Sequence, residues 1–239
     1  MTRRAADAWQ RLERDAIRCR LCPRLVAHRE EVARVKRRQY REEAYWARPL
    51  PGFGEHAARL LIVGLAPAAH GGNRTGRLFT GDRSGDFLFE ALHATGLANQ
   101  PTSMHRDDGL ALRDAFMTPV CRCAPPANKL LPSEIRNCRQ YLLRELALLR
   151  DVRVVVALGK VAMDGFLGAW AAAGKRVPSP RPRFGHAAEH RIDEHTILLC
   201  SYHPSQQNTF TGRLTAGMID AVWRRASALI KRTGGLRAV

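Results

Sequence analysis

The stretch that decides the fold reads Arg59-Leu60-Leu61-Ile62-Val63-Gly64-Leu65, and it runs straight into a loop ending at Gly81-Asp82. The first seven residues are a short apolar run between turn signals. Such a run predicts a strand buried on both faces, as in a parallel sheet. Five Gly in residues 64–82 would let a backbone approach a ligand closely. The loop is not a P-loop, because no Gly-Lys-Ser/Thr follows, and it is not the dinucleotide fingerprint. Taken alone it could also be a plain surface turn.

Outward from this stretch, apolar residues at helical spacing predict helices over 4–18, 84–96, 132–149, 160–173 and 213–232. Residues 25–45 read as mostly helical and densely charged. Short apolar runs at 115–118, 152–158 and 196–201 predict three further strands. Strands alternating with helices imply an α/β fold, a three-layer α/β/α sandwich around a mostly parallel four-stranded sheet. One domain over residues 1–239 is expected. Ligands of such sheets bind beyond the carboxyl ends of the strands. The two unusual polar segments, 64–82 and 202–212, both follow strand ends and are expected to converge on one crevice.

The composition is that of a globular chain: 239 residues, 45% hydrophobic and 26% charged. No apolar run approaches the roughly 20 residues that cross a bilayer, and the start of the chain carries no secretory pattern. A cytoplasmic monomer with no membrane partner is the expectation. The charge is less ordinary, at +17. Of the 39 Lys and Arg residues only five are Lys, so 34 are Arg, whose planar fork suits phosphate. A polyanionic partner, nucleic acid before membrane, is implied.

Six Cys occur at 19, 22, 121, 123, 138 and 200. Cys19, Cys22, Cys123 and Cys138 come from two distant segments, the pattern of an all-cysteine metal site that would staple the N-terminal helix to the rest. Zinc and a four-iron cluster both accept four Cys, and spacing does not choose between them. Cys121 reads as structural and Cys200 as a small core residue. His203-Pro204-Ser205-Gln206-Gln207-Asn208-Thr209 ends the last strand, and its uncharged polar run suits base edges and sugar–phosphate.

These segments together resemble the uracil-DNA glycosylase superfamily. Residues 64–82 resemble its first motif and His203-Pro204-Ser205 its second. Cys19-x-x-Cys22 and Cys123-Ala124-Pro125-Pro126 through Cys138 resemble the ligands of its iron–sulfur branch. Gly64-Leu65-Ala66-Pro67-Ala68-Ala69-His70-Gly71 points to family 5, the type-B enzymes. Family 4 has an acidic residue where this chain has Leu65, and an Asn that reads the uracil edge where this chain has Pro119.

The resemblance implies a monofunctional glycosylase with a [4Fe–4S] cluster that flips uracil, and other deaminated bases such as hypoxanthine, out of DNA. It gives Phe79 a stacking role on the base. Gly64, Leu65 and Ala66 would offer backbone groups. His203 would donate to the departing uracil oxygen. Asp82 and Asn128 would hold the water, while Ser205, Gln206, Gln207 and Asn208 would meet the opened DNA. Two plainer roles compete: Phe79 as a core residue, and Asp82 as a helix cap. A non-catalytic, metal-stapled lesion binder is the alternative function, and it would need neither the loop nor His203.

Overall fold

The computed structural model describes residues 3–233. Its centre is a six-stranded sheet in the order β1-β3-β2-β4-β6-β5. The inner four strands are β3 (Ala115–Pro119), β2 (Leu60–Gly64), β4 (Val154–Leu158) and β6 (Ile197–Ser201), every residue of them buried. All three inner pairings are parallel. The expected four strands are therefore present, but the sheet is wider than four. β1 (Phe53–Gly54) and β5 (Glu189–Arg191) add an antiparallel strand at each edge. Both are too short to carry an alternating pattern, and both lie where the sequence predicts turns or loop.

Alternation along the strands sorts the core into two faces. Leu60 and Ile62 face a cluster with α4 (Arg83–Ala94) and α8 (Ala216–Thr233). Leu61 and Val63 face the opposite cluster, which takes in α1 (Arg3–Ile17), α5 (Pro132–Leu148), α6 (Lys160–Ala172) and the start of α2 (Pro23–Val35). This is the three-layer arrangement. The charged segment 25–45 is helical only to Val35. Lys36 there takes φ +55°, and a single turn at Arg38–Tyr40 follows. No helix among the described residues is long and apolar enough to cross a membrane.

From β2 the chain pairs β3 on one side and returns to place β4 on the other. The strand order thus reverses at β2, and the loop leaving its carboxyl end sits where open α/β sheets bind ligands. Buried polar contacts fix that loop, which includes the short helix α3 (Gly72–Thr75). The Arg77 guanidinium pairs with Asp108 at 2.7 Å, donates from Nε to Thr80 Oγ1 at 2.9 Å, and reaches Ser103 Oγ at 3.0 Å. Burial alone would raise the Asp108 carboxyl. Arg77 and the backbone N–H groups of Leu110 and Met104 instead hold it well below the usual carboxylate range.

A carboxyl depressed in the folded state contributes stability fully above its unfolded value of about 3.9, and loses it as pH falls through the folded value. Asp108→Asn should cost about 3–5 kcal/mol at pH 7, because Arg77 is left buried without its anion. Urea melts at neutral and acid pH check this: the variant should lose less further stability on acidification than the parent.

Candidate active site

The site is built on the end of β2. Gly64 lies in register with Pro119 of β3. A Cβ on Gly64 would stand 3.0 Å from Phe79 Cε2, so the bare backbone lies flat against that ring. Phe79 takes the left-handed conformation at φ +51°, and a Cβ on Gly85 would be 2.1 Å from its carbonyl oxygen. The ring is 7% exposed and counts as core, as the plainer sequence reading has it. It also faces the second motif: the Phe79 and His203 ring centroids are 5.6 Å apart at 35°. The two predicted loops do converge.

His203 follows β6 and is half-buried. Burial pulls its imidazole down to about 4, so it is neutral at physiological pH. Its carbonyl accepts from Asn208 Nδ2 at 2.8 Å, and Ser205 Oγ accepts from Asn208 N-H at 3.4 Å. Ser205 caps a short helix, α7 (Gln206–Phe210), on which Gln206 and Gln207 are exposed. Asn208 thus spends its amide N–H on holding the His203 turn.

Asp82 caps α4, accepting from Gly85 N-H at 3.0 Å, so the cap reading is correct as local structure. The cap does not use up its chemistry. Its Oδ2 would be 1.8 Å from a Cβ on Gly71, which places the carboxylate against the glycine pair of the loop. Burial raises its pKa, and this outweighs the lowering by the Gly85 and Ser84 N–H groups. A base with a raised pKa is a better proton acceptor near neutrality.

Other expected residues are less central. Leu65 and Ala66 are half-buried at the loop start. The Gly64 and Leu65 carbonyls are already taken, by Val120 N–H and Cys121 N–H, each at 2.9 Å. Asn128 is exposed at φ +56° in the turn Pro126–Asn128.

Behind the site, one small cavity is lined by Cys19, Cys22, Cys121, Cys123 and Cys138. The expected four meet there, and Cys121, expected to be merely structural, joins the wall. Cys200 lies in the core instead, its Sγ 3.6 Å from Met163 Sδ. Cys123 Sγ accepts from Arg29 Nη1 at 2.9 Å, Cys138 Sγ from Arg122 N-H at 3.2 Å and Cys22 Sγ from Asn137 Nδ2 at 3.6 Å. Among the described residues no His, Cys, Asp or Glu set is compact enough to grip one ion.

Sequence reasoning missed Arg29. It is 2% exposed, its Nε has no partner, and its nearest carboxylate, Glu30, is 4.0 Å away and half in solvent. Its carbonyl accepts from Asn73 Nδ2 at 3.2 Å, which joins the cysteine segment to the glycine-rich loop. Its place seven residues after Cys22, two helical turns on, is the one signal that could have drawn attention to it.

Comparison with known proteins fits this geometry. The profile of the uracil DNA glycosylase superfamily matches residues 51–227. A type-5 uracil-DNA glycosylase of Mycobacterium tuberculosis is 51% identical over 212 residues, covering 88% of this chain and 78% of that protein. The type-5 enzyme of Thermus thermophilus is 50% identical over 218 residues, 91% of this chain and 94% of that protein. A type-4 uracil-DNA glycosylase of Pyrobaculum aerophilum reaches 30% over 170 residues, covering 70% of this chain and 74% of that protein. The chain belongs to the uracil DNA glycosylase superfamily and, within it, to the type-5 uracil-DNA glycosylases.

Proposed function

We propose that this enzyme excises uracil from DNA by hydrolysing the N-glycosidic bond and leaving an abasic site. The observation that carries the reading is the packing of Gly64, Phe79 and His203 beside Asp82 at the carboxyl end of β2. Extruding the nucleotide costs a few kcal/mol, least where pairing is already weak. Phe79 stacks on the extruded base, and the turn at Gly64, Leu65 and Ala66 meets its edge through the backbone. Ser205, Gln206 and Gln207 meet the opened duplex, while Asn208 braces His203 from behind.

In the reaction, the water oxygen bonds to C1′ as the C1′–N bond breaks, and the bonding electrons leave with uracil. Asp82 takes the proton of the water and balances positive charge on the sugar. His203 donates a hydrogen bond to the uracil oxygen where negative charge grows. A neutral donor there avoids the cost of burying a cation, and its fixed position needs no reorganisation. Asp82 is favoured over Asn128 for the water because its buried carboxylate lies against Gly71 of the loop, whereas Asn128 is exposed. Pro119 has no side-chain donor beside Gly64, so the pocket discriminates by shape and backbone. That suits a substrate range reaching hypoxanthine.

For the cysteines, the fit is chemical. Three N–H donors on sulfur and a buried guanidinium without a buried carboxylate suit thiolates, which need such compensation. Cys19, Cys22, Cys123 and Cys138 would hold a [4Fe–4S] cluster. The likeness of these cysteine segments to the iron–sulfur branch favours the cluster over zinc. Bound there, the cluster would cross-link α1, α2, the segment after β3, and α5.

Incubation with a uracil-containing oligonucleotide, then alkaline cleavage at abasic sites, tests the activity. No cleavage with uracil or hypoxanthine would leave a lesion binder. Asp82→Ala should lower single-turnover excision by roughly 10²–10⁴. The parent's rate should show no inflection near the ordinary histidine value of about 6.5 and should fall at lower pH, as Asp82 is protonated above the usual aspartate value. His203→Ala should lose rate while its DNA dissociation constant stays unchanged; an equal loss of both would remove the proposed role. Anaerobically purified protein should be brown, with about four irons per chain by metal analysis.

A further inference from the structure

An open cleft of about 450 Å³ lies against the glycine-rich loop, outside the crevice, and its walls include Trp46, Arg48, Arg74, Thr75 and Arg106. Trp46 is its fixed element. The indole Nε1 donates to the Pro49 carbonyl at 3.3 Å, and the backbone N–H donates to the Arg74 carbonyl at 2.9 Å. Two guanidinium groups lie over that indole, Arg106 with Cζ 4.9 Å from the ring centroid and Arg48 at 5.8 Å.

The three arginines differ in what else they hold. Arg74 is engaged: it pairs with Glu43, donates to the His70 and Gly81 carbonyls at 2.8 Å each, and covers the Tyr40 ring at 3.8 Å. Its task is to fix the cleft wall to Gly81, the residue before Asp82. Arg48 pairs with no carboxylate among the described residues, and Arg106 reaches only the exposed Asp107 beside it, at 3.4 Å. The cleft therefore presents two under-neutralised, exposed forks held on one aromatic surface, a few residues from the carboxylate of the site. Forks held in place lose less rotamer freedom when an anion arrives.

We infer that this cleft carries the phosphodiester backbone of the DNA strand beside the extruded nucleotide, with Arg48 and Arg106 each taking one phosphate. The inference rests on the crevice acting on DNA, and it adds the path by which a strand leaves the crevice. Charge complementarity selects the occupant: the substrate is a polyanion, and the one carboxylate in the wall, Glu43, is already matched by Arg74.

The test is binding of the Arg48→Gln/Arg106→Gln double variant to duplex without uracil, followed by anisotropy from 50 to 250 mM salt. Each lost phosphate contact removes roughly 0.9 from the slope of log affinity against log salt, so the slope should become shallower by about 2. The loss of affinity should be equal on duplex with and without uracil. Single-turnover excision at saturating enzyme should be unchanged. Arg11→Gln/Arg14→Gln, on exposed positions of α1 in the opposite layer, is the control and should leave the slope nearly as in the parent. A slope change no larger than the control's overturns the inference. So does a fall in the saturated excision rate, or Arg-dependent binding of a nucleoside monophosphate with the slope intact. Failure of the excision reading would instead appear as inactivity of the parent, which the slope measurement does not touch.

Discussion

Everything in the crevice depends on one steric fit. The Phe79 side chain and carbonyl sit between the bare Gly64 and Gly85 backbones: a Cβ on Gly85 would collide with the carbonyl at 2.1 Å, and one on Gly64 would crowd the ring at 3.0 Å. A left-handed conformation in a non-glycine residue costs on the order of 1–3 kcal/mol, and it persists only where its surroundings leave no other choice. Here those surroundings are the end of β2, the first turn of α4 and the hydrogen-bonded frame of Arg77, Thr80 and Ser103. The result is an aromatic face presented to His203 without freedom to turn away.

The same strand end joins the two halves of the molecule. Past their last ladder positions, β2 and β3 stay side by side, Val120 and Cys121 donating to Gly64 and Leu65. The chain that forms the pocket floor is thus hydrogen-bonded to the chain that enters the cysteine cavity. Arg29 and Asn73 make a second link between the same regions. Both links end on the loop that carries Phe79 and Asp82.

Much of this was legible in the sequence, and for a physical reason. Strands buried on both faces are continuous apolar runs, so the inner four could be read directly. The loop from Gly64 and the turn at His203 were legible as strand ends, and their convergence followed from the sheet being parallel. Asp82 caps α4, as the plainer of its readings has it, and a carboxylate at a helix start can cap with one oxygen and leave the other free to act. What escaped was either too short or non-local. Two- and three-residue edge strands have no period to detect. The Arg77–Asp108 pair spans 31 residues and the Arg29–Cys123 contact 94, so no window holds both partners. Asn128, matched by motif alone, lies in an exposed turn at φ +56°, and no local pattern in the sequence could have read that turn.

The edge strands have a consequence of their own. A strongly basic protein is drawn onto DNA without regard to sequence, and copies can crowd along one duplex. An open parallel sheet would then offer neighbouring copies two ready rows of unpaired backbone groups. β1 ends the sheet after two residues, with Gly54 at φ +127°, and β5 ends it after three, with Glu189 held by Arg225 of α8 at 2.7 Å. Edges this short give a neighbour little to pair with, and β5 adds the charges of Glu189 and Arg191. Short edges thereby limit edge-to-edge pairing where copies stand close together.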